Sequence, residues 1–467
     1  MKLLVRIILS AMFCALSASA QDPLAPQVDR LFAAWDKPDS PGCALGVIRE
    51  GRFVYKRGYG SANLDYSIPL TSESVFYIAS TSKQFTAASI LLLARSGRLS
   101  IDDDVRRYIP ELPRYEAVIT VNHLVHHTSG IRDYLELMGL AGKSAEDQFG
   151  NEEAVELIAR QKGLNFKPGE KYLYSNSNYV LMAEIVRRVS GQSLRAFAEE
   201  NIFKPLGMAS THFNDDRAIV VKNRVISYAP AGPGRFRQFI KNINAVGDGN
   251  LLTTVEDLAR WDRNFYDDRV GGPGFSEAML AKMKLNNGEE TSYGFGLGNE
   301  EYRGLKAVAH GGAFYGFRTE MLRIPEQRFT VICLCNAGNA NPTQLARQVA
   351  DLYLGDKLKP VAARAGAPAT APAASTGTVA LTPAQLAEVA GDYYSPELDV
   401  TYRVLIEEGK PYVRLGRTKS LLMTPARDVF RSLGRELRIA RDGQGTITGF
   451  VLNGGRAQNL IFTRKTN

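Results

Sequence analysis

Three short motifs, far apart in the chain, carry side chains that could perform nucleophilic acyl transfer. Ser80 and Lys83 form the only S-x-x-K, Tyr174 and Asn176 the only Y-x-N, and His310 begins the only H-x-G. A serine hydroxyl becomes a nucleophile when a neighbouring base takes its proton, and a lysine amine or a tyrosine hydroxyl can supply that base. An amide such as that of Asn176 can bind a carbonyl group or orient a catalytic side chain.

The residues around the S-x-x-K motif predict where its side chains lie. An apolar run at 85–93 indicates a buried helix over 80–96, with Ser80 at its N-terminus, where free N–H groups favour negative charge. The i, i+3 spacing puts Lys83 on the same helix face as Ser80. To act as a base near pH 7, Lys83 must lose about 3 pKa units, or about 4 kcal/mol. Taken alone, the motif is equally compatible with Ser80 as a helix cap and Lys83 as a solvated residue.

Tyr174 and His310 also have ordinary structural interpretations, as a core tyrosine and a polar residue at a strand end. A turn signal at 167–169 precedes Tyr174 and indicates a loop. His310 ends a strand-like segment, and the glycines after it let a strand edge approach a ligand closely. Because the three motifs are each unique and occur in this order, a shared site is the favoured interpretation.

Several further segments, together with the three motifs, resemble those of a known group of proteins. They are FYIA at 76–79, LSIDD at 99–103, HTSGI at 127–131, PG at 168–169 and LLTTVEDL at 251–258. With the three motifs, they make residues 25–355 resemble the serine β-lactamase and penicillin-binding protein superfamily. The similarity is nearest to the branch with class C β-lactamases, D-alanyl-D-alanine carboxypeptidases, D-aminopeptidases and related esterases. The resemblance implies an α+β fold, with an antiparallel sheet flanked by helices and an all-helical subdomain.

The resemblance also implies roles for individual residues. Ser80 is the acylated nucleophile, Lys83 and Tyr174 form the base system, and Asn176 helps to orient the substrate. The backbone N–H groups of Ser80 and Ala313 form the oxyanion hole.

One motif departs from the pattern of the superfamily. His310 stands where many relatives have lysine, and Gly311 and Gly312 follow it in place of threonine and glycine. The change removes a fixed cation and a hydroxyl that help to hold a substrate carboxylate. We therefore expect peptidase or esterase activity to exceed β-lactam turnover.

Strand-like segments occur on both sides of a helical centre. Strands are predicted at 43–48, 53–59, 307–310, 317–324 and 329–335, and helices at 28–35, 80–96, 153–161, 178–190, 255–265 and 342–354. Thr253 and Glu256 are predicted to form a capping box for the helix at 255–265. Strands from both ends of this region predict one antiparallel sheet.

The composition predicts four successive regions. Residues 1–20 combine a basic start, an apolar run and small residues, and so predict a signal peptide and an exported, periplasmic protein. A hydrolase domain is predicted at 21–356 and an Ala/Pro-rich linker at 357–383. Short strand-like runs with turns at 384–467 predict a small barrel-like all-β domain that either shapes the cleft or binds a partner. No later apolar run is long enough for a transmembrane anchor.

The cysteines, histidines and charge exclude some kinds of site. Buried free thiols are the favoured interpretation of Cys43, Cys333 and Cys335, and a bridge from Cys43 to one of the other two is the alternative. The histidines at 123, 126 and 127 lack accompanying ligand spacing and are predicted to be structural, so no metal or cofactor is expected. The formal charge of +8 comes without a basic and aromatic cluster, which argues against nucleic-acid binding. No pattern predicts the oligomeric state.

These observations favour an exported serine hydrolase that acts through an acyl-enzyme at Ser80. Its predicted substrates are small amides or esters, among them D-amino-acid peptides or other cell-wall fragments. Two alternatives remain open at this point. One is a true β-lactamase or D-alanyl-D-alanine carboxypeptidase, and the other is a non-catalytic protein that senses cell-wall fragments.

Overall fold

The structure is a computed structural model that describes residues 22–144, 147–239, 242–360 and 379–465. The predicted signal peptide and most of the predicted linker lie outside these residues. A six-stranded sheet, a group of helices and a nine-stranded sheet form an α+β fold, which confirms the predicted class. The first thirteen strands are β1 (Cys43–Arg49), β2 (Arg52–Tyr59), β3 (Ser61–Asn63), β4 (Ile68–Pro69), β5 (Phe76–Tyr77), β6 (His212–Phe213), β7 (Tyr228–Pro230), β8 (Phe236–Gln238), β9 (Leu251–Thr253), β10 (Gly298–Tyr302), β11 (Leu305–Phe314), β12 (Phe317–Ile324) and β13 (Phe329–Cys335).

The six-stranded sheet joins strands from both ends of this region, as predicted. Its order is β10–β11–β12–β13–β1–β2, and all neighbouring strands are antiparallel. β1 pairs with β13 from Cys43 opposite Cys335 to Arg49 opposite Phe329. These two central strands are almost continuously apolar because helices cover both faces of the sheet at this point.

Most of the helices lie on the two faces of this sheet or in an all-helical subdomain beside it, and the last helix packs against the C-terminal strands. They are α1 (Ala25–Phe32), α2 (Lys83–Arg95), α3 (Val121–Val125), α4 (Tyr134–Leu140), α5 (Asn151–Ala159), α6 (Asn176–Ser190), α7 (Leu194–Ala198), α8 (Lys204–Leu206), α9 (Val255–Asp267), α10 (Phe275–Met279), α11 (Pro342–Leu354) and α12 (Pro383–Val389). α2 is buried on nearly all sides and packs against α6 and α7. In the described ranges, no helix combines the length and the apolar character that crossing a membrane requires.

The nine-stranded sheet is built from the C-terminal residues and is barrel-like, nearly closed. Its strands are β14 (Gly391–Ser395), β15 (Val400–Glu407), β16 (Lys410–Leu415), β17 (Thr418–Leu421), β18 (Met423–Ala426), β19 (Val429–Ser432), β20 (Arg435–Arg441), β21 (Ile447–Asn453) and β22 (Leu460–Arg464). Their order is β17–β16–β15–β14–β22–β21–β20–β19–β18, so the two edge strands are consecutive in the chain. Phe450 and Phe462 stack in its core with their ring centroids 4.6 Å apart. The predicted boundaries of the hydrolase domain, linker and C-terminal domain stay predictions.

A buried ion pair joins the C-terminal sheet to the helical subdomain. Arg132 NH1 lies 2.5 Å from Glu397 Oε2, and both side chains are at most 5% exposed. The same carboxylate oxygen accepts a hydrogen bond from the backbone N–H of Lys162 at 2.7 Å. The nine-stranded sheet is therefore held at a fixed position on the helical subdomain.

Replacing Glu397 with alanine is expected to lower the free energy of unfolding by about 3–5 kcal/mol, because Arg132 keeps its charge in a buried site without a counter-ion. Denaturant unfolding measures the change. Glu436→Ala removes the partner of the far more exposed Arg431 and is expected to cost about 1 kcal/mol or less. Equal losses in the two variants would contradict a structural role for the buried pair.

The favoured interpretation of the cysteines is wrong, because Cys43 and Cys335 form a disulfide. The antiparallel register of β1 and β13 places these two residues directly opposite each other, whereas Cys333 lies opposite Leu45. Cys333 is a buried free thiol, and burial raises its pKa above its ordinary value. The sequence showed two strands with cysteines but not their register, which decides the pairing.

Some predicted element boundaries also need correction. α2 begins at Lys83, and Ser80 lies in a 3₁₀ turn, Ala79–Ser82, just before it. The N-cap of α9 is Thr254, whose hydroxyl accepts from Asp257 N at 3.1 Å, so the predicted capping box is wrong. The Thr253 hydroxyl instead lies 2.7 Å from that of Thr211. α6 begins at Asn176, two residues earlier than predicted, and ends as predicted before Gly191, whose φ of 75° suits glycine.

Candidate active site

The Ser80 hydroxyl is presented by a tight turn between β5 and α2. Ala79, the residue before it, is buried and has a φ of +47°, a strained value for a residue with a side chain. The Ser82 hydroxyl donates to Ala79 O at 2.5 Å and helps to hold this conformation. The turn leaves Ser80 half-buried at the surface of a cleft.

Lys83 is completely buried beneath Ser80, and its amine lies within hydrogen-bond distance of three oxygen atoms. Its Nζ lies 3.1 Å from Ser80 Oγ, 2.9 Å from Asn176 Oδ1 and 2.6 Å from the backbone oxygen of Asp248. The amide and backbone oxygens can only accept, so they take two of the amine hydrogens. The remaining tetrahedral position faces Ser80, and in a neutral amine this position holds the lone pair. The geometry therefore suits removal of the Ser80 proton by Lys83.

The surroundings of Lys83 favour its neutral form. Burial lowers the pKa of Lys83 below its ordinary value, and the nearby Arg456 guanidinium acts in the same direction. The carboxylates of Asp248 and Asp133 oppose this shift. A neutral amine is therefore available at lower pH than in an exposed lysine.

Tyr174 lies beside both Ser80 and Lys83. Lys83 Nζ is 4.9 Å from the centre of its ring, and burial raises the pKa of Tyr174 well above its ordinary value. A hydrogen bond with the Ser80 side chain lowers this pKa but does not outweigh burial. His127 packs against the phenol with ring centroids 4.3 Å apart. Tyr174 is thus a neutral phenol, which can relay a proton between Ser80, Lys83 and a leaving group.

Tyr174→Phe is expected to reduce kcat by about 10²-fold, because it removes the proton relay and keeps the ring packing against His127. The variant should unfold at nearly the wild-type temperature. Steady-state kinetics and thermal unfolding check the two expectations. Tyr172→Phe is the matched control, since Tyr172 is more exposed and its ring packs against His127 and Tyr293. Wild-type kcat in Tyr174→Phe would contradict the relay.

Asn176 is oriented by a carboxylate that the sequence analysis did not select. Asp133 Oδ2 accepts from the backbone N of Asn176 at 2.7 Å and from its Nδ2 at 2.9 Å. These contacts turn the amide oxygen of Asn176 towards Lys83. Asp133 is also the N-cap of α4 and accepts a hydrogen bond from Glu136 N. An Asp followed three residues later by a Glu is typical of a helix start, and this pattern could have drawn attention to Asp133 in the sequence.

β11 lies against the turn that carries Ser80. The Thr81 hydroxyl donates to His310 O at 3.2 Å, and the Thr319 hydroxyl donates to Ile78 O at 2.9 Å. A Cβ atom at Gly312 would lie 2.4 Å from Ile78 O, so a residue with a side chain would push the strand away. The close approach brings Ala313 to the cleft beside Ser80.

His310 contributes a neutral ring to the cleft. Its Nδ1 is 2.7 Å from Gly311 O, which can only accept, and its Nε2 is 2.8 Å from the Tyr293 hydroxyl. The proton therefore belongs on Nδ1, and Nε2 accepts from Tyr293. Burial, followed by the nearby Lys83, lowers the pKa of His310 to about 4, so the ring carries no charge at pH 7.

The predicted residues meet in one cleft of about 640 Å³. Six of them line it, namely Ser80, Tyr174, Asn176, His310, Gly312 and Ala313, while Lys83 lies directly beneath Ser80. Sequence reasoning missed Asp133, Asp248, Tyr293, Arg318 and Arg456. Asp248 has a buried carboxylate that accepts from the Tyr134 hydroxyl at 3.2 Å. No motif or spacing marked it or the two arginines.

His123, His126 and the three described cysteines have contacts of their own outside the cleft. His123 caps α3 with Thr120, and the two nitrogens of His126 lie near the backbone oxygens of Asn122 and Ala281. Within the described part of the chain, the Cys43, Cys333 and Cys335 cluster is the one group whose ligand atoms are close enough for a metal. The Cys43–Cys335 disulfide occupies two of its three sulfur atoms.

Comparison with known proteins identifies the family. The Beta-lactamase family model matches residues 28–354. The chain belongs to this family. It is 30% identical over 302 residues to a D-aminopeptidase of Gluconobacter oxydans, a match that covers 63% of the chain and 56% of the relative. It is 33% identical over 304 residues to penicillin-binding protein 4* of Bacillus subtilis, covering 61% of the chain and 66% of the relative. The chain thus spans less than two thirds of each of these relatives.

A solved structure extends the similarity to nearly the whole chain. The octameric penicillin-binding protein homologue of Pyrococcus abyssi superposes with a TM-score of 0.64 and 26% identity, covering 94% of this chain and 99% of that one. The match includes the C-terminal sheet as well as the family region. The predicted membership of the serine β-lactamase and penicillin-binding protein superfamily is confirmed.

Proposed function

We propose that the protein is an exported serine hydrolase that forms an acyl-enzyme at Ser80 with small amides or esters. The observation that carries this proposal is the buried Lys83 amine, with two fixed acceptors and its remaining position directed at Ser80 Oγ. Burying an amine costs free energy, and a purely structural role could be filled by an apolar side chain without that cost. The arrangement therefore favours a role in the reaction. In this proposal, residues 21–356 form the hydrolase unit, and residues 1–20 direct export.

The reaction begins when neutral Lys83 takes the proton of Ser80 and Oγ attacks the substrate carbonyl. The carbonyl oxygen gains negative charge, which the backbone N–H groups of Ser80 and Ala313 stabilise. As the bond to the leaving group breaks, the proton passes to that group through Lys83 and Tyr174. A water molecule then attacks the acyl-enzyme with the same base, which releases the acid and restores Ser80.

Amides with a D-amino-acid residue are the proposed first choice of substrate. A relative named D-aminopeptidase and one named penicillin-binding protein support amide chemistry at this fold. The neutral His310 supplies no cation for a carboxylate at β11, which supports peptidase or esterase activity over β-lactam turnover.

Covalent labelling tests the proposal directly. The protein is exposed to a fluorophosphonate and to penicillin, and intact-mass spectrometry followed by peptide mapping locates any adduct. We expect a fluorophosphonate adduct on Ser80, followed by turnover in a panel of D- and L-amino-acid amides, esters and a chromogenic cephalosporin. No adduct and no turnover, together with tight binding of cell-wall fragments, would overturn the proposal in favour of a sensor. Cephalosporin turnover above all amides and esters would instead identify a β-lactamase.

A further inference from the structure

A loop of the C-terminal sheet reaches the active-site cleft. The segment 454–459 between β21 and β22 docks on the helical subdomain through its backbone. Arg456 O accepts from Asp133 N and from Asn165 Nδ2, each at 3.0 Å. Arg132 donates to Gln458 O and Asn459 O at 2.8 Å. These backbone contacts fix the position from which the side chain of Arg456 extends.

The Arg456 side chain faces the catalytic group rather than the barrel. Its NH1 lies 3.3 Å from Asp133 Oδ2, and its guanidinium carbon is 5.9 Å from the centre of the Tyr174 ring. The Asp133 side chain is fully buried, whereas that of Arg456 is 39% exposed. The guanidinium is therefore the positive charge that balances a buried carboxylate.

Asp133 connects Arg456 to Lys83 through hydrogen bonds with Asn176. It binds the amide of Asn176, whose oxygen accepts from Lys83 Nζ at 2.9 Å. Arg456, Asp133, Asn176 and Lys83 thus form a continuous polar chain. The titratable and charged groups that face Lys83 are Asp133 at the N-cap of α4, Asp248 from the segment before β9, Tyr174 from the segment before α6, Tyr179 from α6, His310 from β11, His127 from the segment after α3, and Arg456.

We propose that Arg456 is a positioning residue for catalysis, which balances the charge of buried Asp133 at the start of the polar chain that leads through Asn176 to Lys83. This inference rests on the proposed role of Lys83 as the base. Without Arg456, the uncompensated carboxylate of Asp133 stabilises the ammonium form of Lys83. Through Arg456, the C-terminal sheet thus affects the rate of acylation although it does not contact the reacting atoms.

A direct role of Arg456 in binding a substrate anion is less favoured. Asp133 already occupies its guanidinium, whereas Arg318, also in the cleft, forms no ion pair within the described residues. Arg318 NH1 donates to the backbone oxygens of Tyr315 and Phe317, each at 2.7 Å. A carboxylate in the cleft would therefore bind Arg318 without displacing a protein carboxylate.

The test measures how fast a neutral fluorophosphonate labels Ser80 as a function of pH in the full-length protein. In wild type, the rate rises with pH as Lys83 loses its proton. In Arg456→Gln, we expect this rise to shift to higher pH by about half a unit or more, with a rate about threefold lower below the transition and the same plateau above it. Arg456→Lys restores the positive charge and is expected to return the profile most of the way. Arg438→Gln, an exposed arginine of β20, should leave it unchanged.

Asp133→Asn provides an independent check on the same chain. Removing the carboxylate is expected to shift the rise to lower pH, and adding Arg456→Gln to this variant should reverse part of that shift, because the guanidinium also acts on Lys83 directly. An unmoved profile in Arg456→Gln, or a uniform loss at every pH, overturns the inference. Weaker inhibition by carboxylate-bearing substrate analogues alone also overturns it, because that result identifies an anion-binding residue. If wild type is never labelled at Ser80, the proposed function itself fails, so the two failures are distinguishable.

Discussion

Ser80→Ala is expected to lower kcat/KM by about 10⁴-fold or more and to abolish labelling by a fluorophosphonate. The substitution removes the atom that forms the acyl bond, and losses of this size follow removal of the nucleophile from a serine hydrolase. Binding of substrate should persist, because Asn176 and β11 remain in place. Steady-state kinetics and intact-mass spectrometry measure the two effects.

The stability of the Ser80→Ala variant separates chemistry from folding. Ser80 is half-buried, and the strained conformation of Ala79 is held by Ser82 rather than by the Ser80 hydroxyl. The melting temperature should therefore stay close to that of wild type. Ser96→Ala at the other end of α2, where the hydroxyl donates to Leu93 O, is the matched control and should keep its activity. Retained turnover in Ser80→Ala would show that another group performs the attack.

Parts of the central sheet and the convergence of the site residues could be predicted from the sequence. In both cases the types of the residues carry the information. β13 is an almost continuous apolar run, and the structure gives both β12 and β13 the predicted bounds. α11 likewise begins at the predicted Pro342, a residue that suits the first turn of a helix. The three motifs were unique and carried reactive groups, so their convergence could be expected before the fold was known.

Other features depend on contacts that linear spacing does not encode. β18 is only four residues long and contains Pro425, so its pattern does not distinguish it from a turn. The pairing of Cys43 required the register of two strands nearly 300 residues apart.

The position of Arg456 beside the active site could not be predicted from the sequence either. Arg456 follows two glycines in a turn between strands, a sequence that indicates exposure. Its partner Asp133 lies more than 300 residues earlier, and only the docking of the C-terminal sheet brings them together. The acidic residues that adjust Lys83 are therefore visible only in the folded chain.

Lys83→Met is expected to lower kcat/KM by about 10³- to 10⁴-fold and to change the shape of the pH profile. Methionine has a similar length and an apolar end, so it fits the buried position, but it cannot accept the Ser80 proton. In wild type, deprotonation of Lys83 increases the active fraction, so the rate rises with pH. Burial places this rise below the pKa of an exposed lysine. The variant should lose the rise, which pH-dependent kinetics will detect.

Lys83→Arg distinguishes a base from a positive charge at this position. Arginine keeps the charge near Asn176 and Asp248 but does not lose its proton at any accessible pH. If Lys83 acts as the base, both variants lose activity, and the arginine variant is no better than the methionine variant. If the ammonium group only stabilises charge in the cleft, Lys83→Arg retains much of the activity and Lys83→Met does not. The first outcome is expected, because the position of the neutral amine that faces Ser80 Oγ holds its lone pair.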